Sequence, residues 1–210
     1  MKVLYVASEC VPFIKTGGLA DVAGSLPVEL NRQGADVRVV LPKYRRIDAY
    51  WQARMERVAE YAVLFGSRSM YCAIETLTDQ GVTYYFVDNE EMFGADAIYG
   101  DGLQEGYRFA FFCRAVAEMC RHIDFYPDVL HLNDWQTGLL AAMLRTQYLE
   151  DARLGRMRIV FSIHNLRYQG LFDWRAMNAK LGFDERLFTP DYLEFYGALS
   201  CMKAGLVFAD

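Results

Sequence analysis

The opening run Lys2 to Ala7, K-V-L-Y-V-A, constrains the fold more than any other stretch, because it is continuously β-prone rather than alternating. A strand wetted on one face alternates apolar and polar residues, whereas a continuous run belongs to a strand covered on both faces of a parallel sheet. A loop with Pro12 and the pair Gly17-Gly18 follows. From Leu19 to Gln33 the residues Leu19, Val22, Ala23, Leu26 and Leu30 recur at helical spacing, and Gly34 stands where a helix stops. Asp36 to Leu41, closed by Pro42, reads as a second strand. Strand, loop, helix and strand in this order form a βαβ unit, which makes a right-handed crossover.

The middle of the chain has another texture. Glu60 to Phe65, Met70 to Leu77 and Val82 to Val87 are strand-like and are separated by the turn signals Gly66-Ser67 and Asp79-Gln80-Gly81, which predicts a local β-meander or hairpin decoration. Asn89 to Gly102 has no periodicity and reads as a functional loop. Residues 104 to 122 then fit a helix, Asp128 to Leu132 a strand, Asp134 to Leu149 a helix, Arg158 to Ile163 a strand and 198 to 208 a final helix. The returning alternation predicts an α/β fold: a Rossmann-like, mostly parallel sheet flanked by helices. No repeat or Pro/Ser-rich linker divides the 210 residues, so residues 1–210 are read as one domain. The apolar ending G-L-V-F-A-D looks cut short.

Composition removes several classes of function. With 53% hydrophobic residues the chain can bury a substantial core, which excludes disorder for most of its length. Twenty-two Lys and Arg against 27 Asp and Glu, with no basic run, argue against nucleic acid as a partner. No signal-peptide core and no membrane-spanning run is present. The five cysteines are odd in number and lack a C-x-x-C pair, so they read as reduced thiols of a cytoplasmic protein, with Cys113 and Cys120 on one face of a helix packed into the core. His122, His131 and His164 form no H-x-x-x-H or Cys/His cluster, and no metal site is expected.

Ligands of open α/β sheets bind outside the carboxyl ends of the strands, which singles out three loops. In the first, Lys15-Thr16-Gly17-Gly18 precedes a helix, where glycine lets an anion approach free backbone N–H groups and Lys15 adds a charge. A plain tight turn needs the same glycines. The second is H-L-N-D-W-Q-T-G, with His131 and Asn133 at a strand end. Here Asp134 is placed to cap the next helix, and Trp135 is either core or a stacking surface. The third runs from His164 to Gly170, where the histidine either meets a ligand or hydrogen-bonds its own loop.

The three loops together resemble a known family. V-A-S-E-C-V-P-F-I-K-T-G-G-L-A-D-V-A-G-S-L-P, H-L-N-D-W-Q-T-G, S-I-H-N-L-R-Y-Q-G-L-F and K-A-G-L-V-F-A-D look like the blocks of bacterial glycogen synthases and plant starch synthases, in their order. The resemblance implies the N-terminal domain of a GT-B glycosyltransferase, with a C-terminal Rossmann-like domain absent from this chain. It implies transfer of glucose from ADP-glucose to the non-reducing end of an α-1,4-glucan such as glycogen or a maltooligosaccharide, with retention and without a metal or other cofactor. By the same match Lys15, Thr16, Gly17 and Gly18 meet the nucleotide sugar, and Asp21 and Asp134 belong to the polar wall of the sugar pocket. His164 lies near the reactive carbon with Asn165 beside it, and Tyr99 lies near the sugar or glucan. His164 and Asp134 carry the catalytic assignment. Gln136 stands where many relatives have a second histidine, and its amide can still donate and accept hydrogen bonds. The basic residues that neutralise the departing diphosphate belong to the absent domain, so the fragment alone is expected to be inactive. The alternative is a stand-alone module that binds glucan or nucleotide sugar without catalysis, and a preference for UDP-glucose over ADP-glucose is left open.

Overall fold

A strand without a polar face needs neighbours on both edges, and β1 (Lys2–Val6) has them in the computed structural model, which describes residues 1–210. It pairs in parallel with β2 (Asp36–Pro42) and with β6 (Val129–Asn133), Val3 lying opposite both Val37 and Val129. The crossover helix α1 (Gly18–Arg32) buries Leu19, Ala20 and Ala23. Beyond β6 the sheet ends in parallel strand β7 (Arg158–Ser162).

On the other side the sheet continues further than expected. The presumed decoration is an integral part of it: β5 (Val82–Asp88) pairs in parallel with β2, and β4 (Arg68–Asp79) and β3 (Glu56–Phe65) follow antiparallel, giving the order β3-β4-β5-β2-β1-β6-β7. Gln80 and Gly81, with φ of 48° and 78°, supply the two positive angles that a two-residue hairpin turn requires. Val63, Cys72, Ile74, Val82 and Phe86 are fully buried, so the hairpin enlarges the core.

Two short helices, α2 (Ala49–Gln52) and α3 (Glu90–Phe93), sit in connections. The second begins the segment read as a loop, with Asn89 Oδ1 accepting from Met92 N at 2.9 Å. Helix α4 (Gly102–His122) packs against α5 (Trp135–Thr146), which ends before the expected Leu149. Residues 171–208 hold elements the periodicity did not show: α6 (Trp174–Leu181) and a small antiparallel sheet of β8 (Leu171–Phe172), β9 (Glu194–Phe195) and β10 (Ala198–Ser200). The final helix is therefore shorter than expected, α7 (Cys201–Phe208), with Ser200 Oγ accepting from Lys203 N as its cap.

A continuous cluster of 65 buried apolar residues runs from β1 to α7. All five cysteines are unpaired and buried. Burial pushes the thiols of Cys72, Cys113 and Cys120 up to about 12, which leaves them inert as nucleophiles. No helix is long and apolar enough to cross a membrane.

Candidate active site

Strand order decides where a site can form. From β1 the chain steps to β2 and β5 on one side, then returns through β6 and β7 on the other, so the connections diverge between β1 and β6. At such a switch point the loops leave a crevice at the carboxyl ends of the strands. A cavity of about 830 Å³ lies there, lined by residues of the three loops and of the segment before α4. That volume suits a small-molecule ligand.

The structure brings Thr16, Gly17, Gly18, Tyr99, Asp134, His164 and Asn165 into this one cavity. Lys15 and Asp21 are not in its wall. They are half exposed and bound to each other, Lys15 Nζ donating to both carboxylate oxygens of Asp21 at 2.7 Å. Asp21 lies on the solvent side of α1, beside buried Ala20, which is why its side chain turns outward.

The Gly-Gly loop is occupied from within. Glu9 is 3% exposed, and its Oε2 accepts from Thr16 N at 2.5 Å, from the Thr16 hydroxyl at 2.7 Å and from Gly17 N at 3.3 Å. Of the donors expected to meet an anion, the first N–H groups of α1 from Gly18 onward are those that helix geometry leaves without an intrahelical partner. Glu9 itself lines the cavity and had no role in the sequence reading; its position just after a buried strand was the available signal.

Asp134 does not cap α5. It has φ 57° and ψ 179°, and its Oδ1 reaches across to the next loop, accepting from His164 N at 2.7 Å and Asn165 N at 3.1 Å. The carboxylate thus holds the backbone of the third loop in place. The His164 ring lines the cavity, and its Nε2 sits 2.9 Å from Asn133 Oδ1, which belongs to the second loop and not to its own. His131 lies behind it, with Nε2 2.8 Å from Ser162 Oγ and the ring edge-on to Tyr5. Burial, with a smaller push from His164, lowers the pKa of His131 to about 4, so it is neutral at physiological pH.

Tyr99 is held by a 2.7 Å hydrogen bond between its hydroxyl and Ser8 Oγ, and burial raises its pKa, keeping the phenol protonated. Trp135 packs edge-on against Phe109 and at a tilt to Phe172, yet remains part of the wall. Gln136 is also in the wall, with its Oε1 unpartnered.

The charge of the wall is one-sided. Glu9, Asp101, Glu105 and Asp134 contribute carboxylates, and no Lys or Arg lines the cavity. Burial raises the pKa of Glu105 even though Arg108 Nη1 donates to it at 2.7 Å. Carboxylates and amides suit the hydroxyl groups of a sugar, whereas a diphosphate in such a wall would lack a counter-charge. No three His, Cys, Asp or Glu side chains are placed to hold a metal ion.

A mostly parallel α/β sheet with a polar cavity at its switch point defines a Rossmann-like domain. More particularly, the chain belongs to the family of starch synthase catalytic domains, whose model matches residues 2–210. It is 50% identical over 209 residues to a glycogen synthase of Anoxybacillus flavithermus and 51% identical over 210 residues to one of Geobacillus thermodenitrificans, in each case covering all of this chain and 43% of the relative. Among solved structures it is similar to the catalytic domain of starch synthase IV from Arabidopsis thaliana bound to ADP and acarbose, with a TM-score of 0.88, 27% identity, and coverage of 99% of this chain and 43% of that one. The chain thus spans under half the length of these relatives, and its fold is that of the N-terminal domain of a GT-B enzyme.

Proposed function

We propose that this chain is the N-terminal half of a retaining glucosyltransferase that moves glucose from ADP-glucose to the non-reducing end of an α-1,4-glucan, and that alone it has no useful turnover. The observation that carries this reading is the wall of the cavity, which offers four carboxylates and no cation. Transfer from a nucleotide sugar leaves a diphosphate, whose charge must be met by preorganised positive groups. Lys15 is one charge, outside this wall and paired with Asp21 in the unliganded chain, so the further neutralising groups come from a second domain, in the part of the relatives' length that this chain leaves uncovered.

Within this reading Asp134 and His164 form the catalytic wall. Asp134 fixes the loop bearing His164 and Asn165, and the His164 ring meets the glucosyl unit. Tyr99 contacts the sugar or glucan, Thr16, Gly17 and Gly18 approach the donor, and Lys15 reaches it after exchanging its Asp21 partner. Two half-sites on separate domains must close on each other, which excludes water and completes the constellation. The action is placed in the cytoplasm, consistent with five unpaired cysteines.

Calorimetric titration of the 210-residue chain with ADP-glucose and separately with a maltooligosaccharide, followed by a labelled-glucose transfer assay on the same sample, tests the reading. Weak or absent donor binding with no transfer is the expected result. Tight donor binding without transfer would favour a stand-alone binding module, and measurable transfer would overturn the requirement for a second domain.

A further inference from the structure

Asn133 is fully buried at the end of β6, and every polar atom of its side chain is committed. Its Nδ2 donates to the carbonyl of Val6 at 3.0 Å and to that of His131 at 3.1 Å. Turning the amide over would set its oxygen against two carbonyl oxygens, so the orientation is forced and Oδ1 faces His164 Nε2 at 2.9 Å. An amide oxygen only accepts. The hydrogen between the two residues therefore sits on Nε2, and in the neutral ring the other nitrogen carries a bare lone pair. Nδ1 has no partner within the protein, in a residue that lines the cavity.

We propose that Asn133 is a positioning residue that holds His164 as its Nε2–H tautomer, so that His164 enters the site through Nδ1 as a hydrogen-bond acceptor for a substrate hydroxyl and not as a proton donor. The partner's chemistry sets this limit. A carboxylate behind the ring would stabilise an imidazolium and favour proton transfer through it, whereas an amide oxygen takes up no proton and adds no charge. Asn133 is in turn fixed by its backbone N–H to Thr137 Oγ1 at 2.7 Å, and the His164 backbone by Asp134, so the ring is located from both ends. Only the identity of what meets Nδ1 rests on the glucosyltransferase reading; the tautomer is a property of the unliganded chain.

Long-range proton–nitrogen correlation spectra of the isotope-labelled chain, at about pH 8 where an ordinary imidazole is neutral, read the tautomer directly. With three histidines the assignment is tractable. We expect His164 to be a single Nε2–H tautomer with a slowly exchanging Nε2 proton. A proton on Nδ1, a mixture of tautomers, or a rapidly exchanging Nε2 proton would overturn the proposal. Asn133→Ala should speed exchange of that proton by about tenfold or more, the loss of a hydrogen bond worth roughly 1.4 kcal/mol; unchanged exchange in a folded variant would remove Asn133 from the role. If that variant does not fold, Asn133→Ser, whose short hydroxyl falls short of the ring, is read the same way, and the wild-type correlation spectrum already decides the tautomer. Tight binding of ADP-glucose by the isolated chain, or transfer by it, would count against the proposed function without altering this result.

Discussion

A side chain held at φ 57° and ψ 179° occupies a backbone region that belongs almost entirely to glycine and costs on the order of 1–3 kcal/mol. Asp134 bears that cost because its carboxylate organises a loop thirty residues further along. Asp134→Ala removes the acceptor and keeps the strain. Two hydrogen bonds to a charged group are lost, each worth roughly 1.5–3 kcal/mol, so exchange of the His164 and Asn165 amides with solvent should accelerate by about tenfold or more, as hydrogen-exchange NMR would show. Protection equal to wild type would mean that the loop stands without Asp134. Residues of this kind divide by how they were found. The loops bearing Thr16, Gly17, Gly18, His164 and Asn165 were marked by standing directly after strands or before a helix, where the topology puts ligands, but position alone left a tight turn or a loop hydrogen bond open, and the individual roles came from family resemblance. Tyr99 was placed through family resemblance, and the structure does bring it into the wall. Asn133 was not legible as a site residue, because its role arises from contacts such as that to Val6, 127 positions apart, that no local pattern encodes, whereas Glu9 meets Thr16 and Gly17 within its own loop and its place just after a buried strand was the only signal.

Helices α5 and α7 show how elements are fitted together by what is missing from them. A Cβ on Gly138 would stand 2.0 Å from the carbonyl oxygen of Cys201, and one on Gly205 would stand 2.4 Å from the Phe161 ring. The obstacle at Gly138 is backbone of α7, so the close approach of the two helices depends on bare backbone there, while Gly205 leaves room for the Phe161 ring of β7. Gly138→Ala should cost about 1–3 kcal/mol or more and lower the melting temperature by several degrees, despite alanine's better helix propensity. An unchanged or raised melting temperature would show that the crossing can relax. The helices α1 and α4 were readable as long helical stretches, and β1 and β6, five residues each, as short strand-like runs. The hairpin β3-β4 was recognised as strands but not as part of the main sheet, since its attachment is set by β5 pairing with β2 far away in sequence. The strands β8 and β9 are two residues each, too short to display any period, and their existence depends on pairing with β10.

At the scale of the whole molecule, pH reads out the buried groups behind the cavity. The unfolded chain binds a proton at His131 near the ordinary 6.5, while the folded chain resists until about 4. Protons are therefore taken up preferentially by the unfolded state in that window, and stability should fall as the pH drops from about 6.5 toward 4. Glu105 acts with the opposite sign, because a raised carboxyl pKa lets the folded state take up protons first. Asp151, lowered to about 2 by the backbone N–H of Leu154 and by Arg121, stabilises the fold across this window and loses that contribution only as the pH falls from the ordinary 3.8 toward 2. Comparing thermal melts of wild type and His131→Gln at pH values across the window isolates the histidine: the variant should lose less stability on acidification, by on the order of 1 kcal/mol after solvent screening. Equal slopes would exclude His131 as the source. One feature at the mouth of the sheet also bears on the timing of events. Because Glu9 stitches the Thr16–Gly17 turn shut from behind, the turn keeps its form between visits of a ligand. On the proposed glucosyltransferase reading nothing there has to fold when a sugar arrives, so the encounter rate with this half of the cleft would be set by diffusion and orientation, and any slow step would belong to the approach of a second domain.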